Sequence, residues 1–87
     1  MNRTERKEAY RNKVNETAAF VLAKIFTEFN RVRNLDYTKG QTDEQVSKVA
    51  IEYGNGLLNT MIKSKPQEKQ LILDAARVIK KKLTEKP

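Results

Sequence analysis

The stretch Tyr10–Val32, with the sequence YRNKVNETAAFVLAKIFTEFNRV, decides the fold because its apolar residues recur at helical spacing. Steps of three or four residues keep one face of a helix apolar. The row on that face consists of Tyr10, Val14, Ala18, Val21, Ile25, Phe29 and Val32. Followed outward in both directions, the pattern predicts a first helix from about residue 4 to residue 35. At 1.5 Å per residue such a helix is roughly 48 Å long, which is long for a chain of 87 residues.

A second helix is predicted over residues 43–63, after a turn at residues 36–40. Thr42 and Gln45 have the spacing of a capping box, in which each side chain satisfies a free backbone donor. Its apolar arc is broad and comprises Val46, Val49, Ala50, Ile51, Tyr53, Leu57, Leu58, Met61 and Ile62. The arc continues through Gly54 and Gly56, although each glycine weakens a helix by about 1 kcal/mol relative to Ala. Gly54 lies on the inner side, where a missing side chain permits close backbone approach, and Gly56 lies outside.

A third helix is predicted over residues 66–85, with Pro66 in its first turn, where proline is tolerated. Its apolar side consists of Leu71, Ile72, Ala75, Ala76, Val78, Ile79 and Leu83. Three amphipathic helices joined by short connections predict an all-α fold, an antiparallel up-down-up three-helix bundle that forms a single domain over residues 1–87. The first helix is longer than its partners, so its N-terminal turns are expected to project.

The composition excludes several kinds of chemistry. The chain has 18 Lys and Arg against 11 Asp and Glu, for a formal net charge of +7, and it contains no Cys, His or Trp. Disulfides, thiolate or imidazole metal sites and His-dependent triads are therefore excluded. Glu16, Glu28 and Glu52 are scattered on outer faces. We expect no enzyme, no catalytic residue, no metal and no cofactor.

Localisation is predicted from apolar runs. None reaches the roughly 18 residues of a membrane span, and the basic N-terminus lacks the apolar stretch of a signal peptide. We expect a cytoplasmic protein without a membrane span.

The positive charge is concentrated at the two ends of the chain. Residues 1–13 carry a net +3, residues 14–62 a net −1 and residues 63–87 a net +5. In an up-down-up bundle the third helix starts beside the start of the first, which predicts one basic pole made of Arg3, Arg6, Lys7, Arg11, Lys63, Lys65 and Lys69. The opposite pole is predicted to gather Arg31, Arg33, Lys39, Arg77, Lys80, Lys81 and Lys82.

The first turns of the first helix carry cations on the face that is apolar further along. Arg3, Lys7 and Arg11 share the angular sector of Val14 and Ile25. These turns are therefore expected to stay outside the core as a basic, partly frayed arm that contacts phosphate. The alternative is a solvated terminus without a specific role. Basic residues on the third helix form either a second stripe for polyanions or a solvated face. The polyanion-binding candidates are Arg3, Arg6, Lys7, Arg11, Lys63, Lys65, Lys69, Arg77, Lys80, Lys81 and Lys82.

Aromatic side chains are expected to take little part in binding nucleic acid. The aromatic residues predicted to point inward are Tyr10, Phe26, Phe29 and Tyr53. Recognition of single strands by base stacking is then not expected. Phe20 breaks this pattern because it lies nearly opposite the apolar row. It is either a contact for a partner or for self-association, or it is covered by a loop or by a wider bundle.

The stretch Gln45–Gly54 partly resembles a helix-turn-helix motif. The resemblance fails after the glycine, because Asn55 and Thr60 stand where apolar residues are needed. A continuous helix is the prediction.

Two function classes remain. The first is a non-enzymatic, nucleic-acid-associated accessory or regulatory protein that contacts the phosphate backbone of DNA or RNA. The second is a protein-binding inhibitor or immunity-type module, encoded by a bacterium or a phage, that occludes an acidic or apolar site on a partner protein. A homodimer through the long first helix is compatible with both.

Overall fold

The structure of the protein is a computed structural model, which describes residues 2–35 and 40–85. It contains three α-helices. They are α1 (Arg3–Arg33), α2 (Asp43–Ser64) and α3 (Lys69–Thr84), and a short 3-10 segment (Pro66–Glu68) precedes α3. The all-α, three-helix prediction is confirmed, with helix ends within a few residues of those predicted. The predicted turn lies mostly outside the described residues, but Gly40 has a φ of 92°, a left-handed conformation that favours glycine.

The core lies along α1, which packs against both other helices, whereas α2 and α3 contact each other much less. Val21 of α1, Val46 of α2 and Ile72 of α3 are the largest side chains that are fully buried. The other buried apolar residues are Val14, Ala18, Ile25, Val32, Ala50, Leu58, Ala75 and Ile79. The apolar row predicted for the first helix therefore supplies the centre of the bundle.

The end of α1 is fixed beside the start of α2. Arg33 forms an ion pair with Asp43, at 3.2 Å between Nη2 and Oδ1, and its Nη1 donates to the carbonyl of Gln41 at 2.7 Å. The predicted capping box is present at the same place. The backbone N–H of Gln45 donates to Thr42 Oγ1 at 3.2 Å, and the backbone N–H of Thr42 donates to Gln45 Oε1 at 2.8 Å. These contacts hold the start of α2 beside the end of α1.

Helix α2 is continuous through its two glycines, so a helix-turn-helix is excluded there. Gly54 is buried, and a Cβ at this position would lie 2.5 Å from Cδ1 of Ile25. A Cβ at Gly56 would meet no described atom within 4 Å. The prediction that Gly54 faces inward and Gly56 outward is confirmed, and α1 and α2 approach closely where the side chain is missing.

Several residues that the helical wheels placed inside are exposed. The exposed fraction is 42% for Tyr10, 59% for Phe26, and 44% for both Val49 and Tyr53, so the inward prediction is wrong for these four. The reason is that α2 packs mainly on α1, and no second described helix covers the flank with Val49 and Tyr53. Phe29 is half-buried, as predicted.

None of the described helices combines the length and the apolar content that crossing a bilayer requires.

Candidate polyanion-binding site

The first turns of α1 extend beyond the end of α2. Helix α1 has 31 residues and α2 has 22, and the two are joined at the opposite end through Arg33. Residues 3–8 are all exposed. The prediction of a partly frayed arm is nevertheless wrong, because these turns are helical and are capped by Asn2, whose Oδ1 accepts from the Glu5 N–H at 2.8 Å. The projecting end is an ordered helix with cations on its surface.

An open recess of about 580 Å³ lies between these turns and the middle of α3; we call it the basic recess. Its lining residues are Arg3, Arg6, Lys7, Tyr10, Arg11, Val14, Asn15, Asp74, Arg77 and Val78. Five of them are cations, and Asp74 is the one acidic residue among the described residues that line it. The acidic residues of the first turns, Glu5 and Glu8, are not part of the lining. The basic recess is therefore strongly cationic.

Asp74 is bound by neighbouring donors. Its carboxylate accepts a hydrogen bond from the Tyr10 hydroxyl and another from Gln70 Nε2 at 3.0 Å, and Nη1 of Arg77 lies 3.8 Å from Oδ1. The hydrogen bond from Tyr10 has the largest effect and lowers the pKa of Asp74 from its ordinary value against the opposing effect of partial burial, and Gln70 and Arg77 lower the pKa further by smaller amounts. The same hydrogen bond raises the pKa of Tyr10. Asp74 is thus ionised at neutral pH, and its carboxylate already has partners.

The cations of α1 in the basic recess lack such partners. Among the described residues, no carboxylate lies within ion-pair distance of Arg3, Arg6, Lys7 or Arg11. Arg3, Lys7 and Arg11 follow each other at intervals of four residues, where like charges destabilise a helix by roughly 0.2–0.5 kcal/mol per pair. An anion bound in the basic recess would remove this repulsion.

The other end of α1 differs, because its cations are paired. Arg31 forms an ion pair with Glu28, which lowers the pKa of Glu28, and Arg33 is paired with Asp43. The excess positive charge on α1 is therefore at its N-terminal end.

Arg77 lies at a different pole from the one predicted. It lines the basic recess with Arg3 and Arg11, because α3 contacts Tyr10 through Asp74, which lies about one turn before Arg77. Lys63, Lys65 and Lys69, which are predicted to approach Arg3, do not line the basic recess.

The remaining basic candidates lie elsewhere. Lys65 is 3.9 Å from Glu68, and Lys80 lines a separate groove of about 430 Å³ between α2 and α3. Lys81 and Lys82 are exposed in the last turn of α3. Lys39 lies outside the described residues. The basic recess thus unites five of the eleven candidates.

Phe20 is exposed, as its position on the wheel predicts. Half of its surface (51%) is accessible, and the Lys24 ammonium lies 5.5 Å from the ring centroid, a cation–π distance. The ring is on the outer side of α1, away from the buried row that begins with Val14. It remains a candidate contact for a partner.

Five residues that line the basic recess were not foreseen as site residues: Tyr10, Val14, Asn15, Asp74 and Val78. Tyr10 was assigned to the core row, and no local signal links it to Asp74, which is 64 positions away. Among the described residues, no group of three or more acidic side chains is arranged to hold a metal ion. Comparisons of the chain with protein-family models, curated proteins and solved structures give no match.

Proposed function

We propose that this is a non-enzymatic, nucleic-acid-associated accessory or regulatory protein that contacts the phosphate backbone of DNA or RNA through the basic recess. As part of the same proposal we place it in the cytoplasm. The observation that carries the proposal is the concentration of five cations around one open recess in which the single carboxylate, Asp74, is already bonded.

The arrangement suits phosphates in both charge and spacing. From Arg3 to Arg11 the row of cations extends for about 12 Å along α1. Phosphates of one DNA strand recur about every 3.4 Å along a duplex axis, so a row of this length spans about four of them. Arginine also offers a planar, bidentate donor set that fits phosphate oxygens. Such contacts position a protein on a strand without reading its sequence.

Helix α3 supplies a second group of cations for the same partner. Lys80, Lys81 and Lys82 are exposed in its last turns, and none of the ion pairs among the described residues includes them. They begin three residues after Arg77, which lines the basic recess, so a polyanion that extends along α3 could contact both groups. Short ligands would distinguish the two groups.

The experiment that tests the proposal is a binding titration of the purified protein against labelled duplex DNA, single-stranded DNA and RNA at several salt concentrations. Five phosphate contacts predict that affinity falls roughly 100-fold or more between 50 and 200 mM salt, because each neutralised phosphate releases counterions. Absence of binding at low salt, or binding that does not change with salt, would contradict the proposal.

A second candidate function, binding of a partner protein as an inhibitor or immunity-type module, is favoured by the exposed ring of Phe20. In this version Phe20 or a basic pole meets an apolar or acidic surface of the partner. Nuclease treatment separates the two candidates, because a protein partner captured from lysate stays bound after nuclease and a nucleic acid does not. Retention of that partner by both Phe20→Ala and charge-reversal variants would contradict the second candidate.

The state of association bears on both candidates. A homodimer through α1 would present two basic recesses to one ligand, and sedimentation at several protein concentrations measures it directly.

A further inference from the structure

Tyr10 lines the basic recess and is partly exposed. It is 42% exposed, where the apolar row of α1 predicts burial. Arg6 and Lys7 precede it by about one helical turn, Arg11 follows it directly, and Arg77 approaches from α3. An aromatic ring among cations is the combination by which proteins bind single-stranded nucleic acids.

The hydroxyl of Tyr10 is anchored. Because it donates to Asp74 across the junction of α1 and α3, the hydrogen bond restricts the orientation of the ring before any ligand arrives. A side chain that is already ordered loses little conformational freedom on binding, which favours affinity.

The recess also contains apolar side chains beside the ring. Val14 and Val78 contribute to its lining together with Tyr10, and the cations surround them. Sites for ligands that have both an apolar and a charged part usually combine an apolar surface with a few charged groups in this way. A nucleotide is such a ligand, since its base has an apolar face and its phosphate is anionic.

We infer that the basic recess binds a nucleotide of a single strand, with the base stacked on Tyr10 and the adjoining phosphates bound by the arginine and lysine side chains around it. The inference rests on the proposed function and deepens it, because it names the form of nucleic acid. In a duplex both faces of each base are covered by neighbouring bases, so only an unpaired base is free to stack on Tyr10.

The test compares two single strands of equal length and charge, an oligothymidylate and its abasic counterpart. The wild-type protein is expected to bind the oligothymidylate about 10-fold more tightly, within the range measured for stacking of a base on an aromatic side chain. Tyr10→Leu is expected to bind both strands equally, and Tyr10→Phe to keep the preference.

The two variants form a matched pair. Both lose the hydrogen bond to Asp74, and only the leucine variant loses the ring, so a general effect on the fold would appear in both. Tyr53→Leu removes a ring of similar exposure on α2 and is expected to leave the preference unchanged. Circular dichroism and thermal unfolding of each variant verify the fold.

The outcomes separate the inference from the proposed function. Equal, salt-dependent affinity of the wild-type protein for both strands would overturn the inference and leave phosphate binding intact. Loss of the preference in Tyr10→Phe as well as Tyr10→Leu would also overturn stacking as its cause. Absence of binding to either strand at low salt would overturn both.

Discussion

Tyr10 in α1 donates its hydroxyl hydrogen to the carboxylate of Asp74 in α3, and the two helices are thereby joined through residues that are 64 positions apart in the chain. The contact lies in the basic recess, among five cations. It orients the exposed ring of Tyr10 and places the one acidic residue of the described lining where an anionic ligand would bind. This single hydrogen bond therefore relates the fold to the proposed binding site.

Asp74→Asn should strengthen binding of nucleic acid. The asparagine keeps the shape of the side chain and an oxygen that accepts from Tyr10, but it removes a negative charge that repels phosphate. We expect affinity to rise roughly 3- to 10-fold at low salt, as for the loss of one nearby like charge. Glu16→Gln, which removes an exposed carboxylate outside the recess lining, is the control for net charge. An equal gain in both variants, or none in Asp74→Asn, would contradict this role of Asp74.

The stabilising effect of the Tyr10 hydroxyl should depend on pH. The pKa of Asp74 is lowered in the folded state, so its contribution is present above its ordinary pKa of about 3.9 and is lost as the pH falls through the lowered value. The pKa of Tyr10 is raised, so its contribution is present below about pH 10 and is lost as the pH rises through the raised value. The difference in unfolding free energy between the wild-type protein and Tyr10→Phe should thus be greatest between about pH 5 and pH 9. Chemical denaturation across the pH range measures it, and a difference that is the same at every pH would be inconsistent with the hydrogen bond.

The two glycines of α2 should respond oppositely to alanine. At Gly54 a Cβ would lie 2.5 Å from Cδ1 and 2.6 Å from Cγ1 of Ile25, which is itself buried in the core, so Gly54→Ala should destabilise the protein by about 1–2 kcal/mol. At Gly56 the space is open, and Gly56→Ala should stabilise it by about 0.5–1 kcal/mol through helix propensity. Denaturant unfolding gives both values.

A double mutant tests the contact between Gly54 and Ile25. Ile25→Val removes Cδ1, one of the two Ile25 atoms that the new Cβ would meet, so it should cost less in the Gly54→Ala background than in the wild-type protein. If Gly54→Ala proves as stable as Gly56→Ala, the close approach of α1 and α2 is not as described.

The lysines at the end of α3 should contribute to binding but little to folding. Changing Lys80, Lys81 and Lys82 together to Gln should weaken binding of a long polyanion and lower the slope of log affinity against log salt by up to about 3. Because the three side chains are exposed, the loss of stability should stay near 1 kcal/mol or below, from weaker interaction with the helix dipole. Titrations and thermal unfolding of the triple variant measure the two effects. An unchanged slope would exclude this second group of cations from the contact.

Local signals in the sequence were enough to predict the helices. The capping box of Thr42 and Gln45 marked the start of α2, and the apolar row from Val14 to Val32 marked the buried face of α1. The inward position of Gly54 followed from the same periodicity. Each of these features depends on residues within a few turns of one another.

Which residues line the basic recess depends on how the helices pack, so the lining could not be predicted from local sequence. A helical wheel gives the direction of Tyr10 or Tyr53 but does not tell whether another helix covers that direction, and in this bundle α2 and α3 leave both rings accessible. Likewise the position of α3 against α1 determines that Arg77 lines the basic recess. No local pattern encodes that position.

The central claim is that the cations of the basic recess, and not merely the net charge of +7, bind the phosphate backbone. Two triple variants test it, because each lowers the net charge by the same amount. Arg3, Lys7 and Arg11 change to Gln in the first variant, and Lys13, Lys24 and Lys48, which are exposed and outside the recess lining, change to Gln in the second.

The measurement is the slope of log affinity against log salt for a short nucleic acid. We predict that the first variant lowers the magnitude of the slope by about 2–3 and the second by less than about 1, since only the first removes direct phosphate contacts. Equal slopes and equal losses of affinity in the two variants would contradict a defined site and reduce the binding to a general effect of charge.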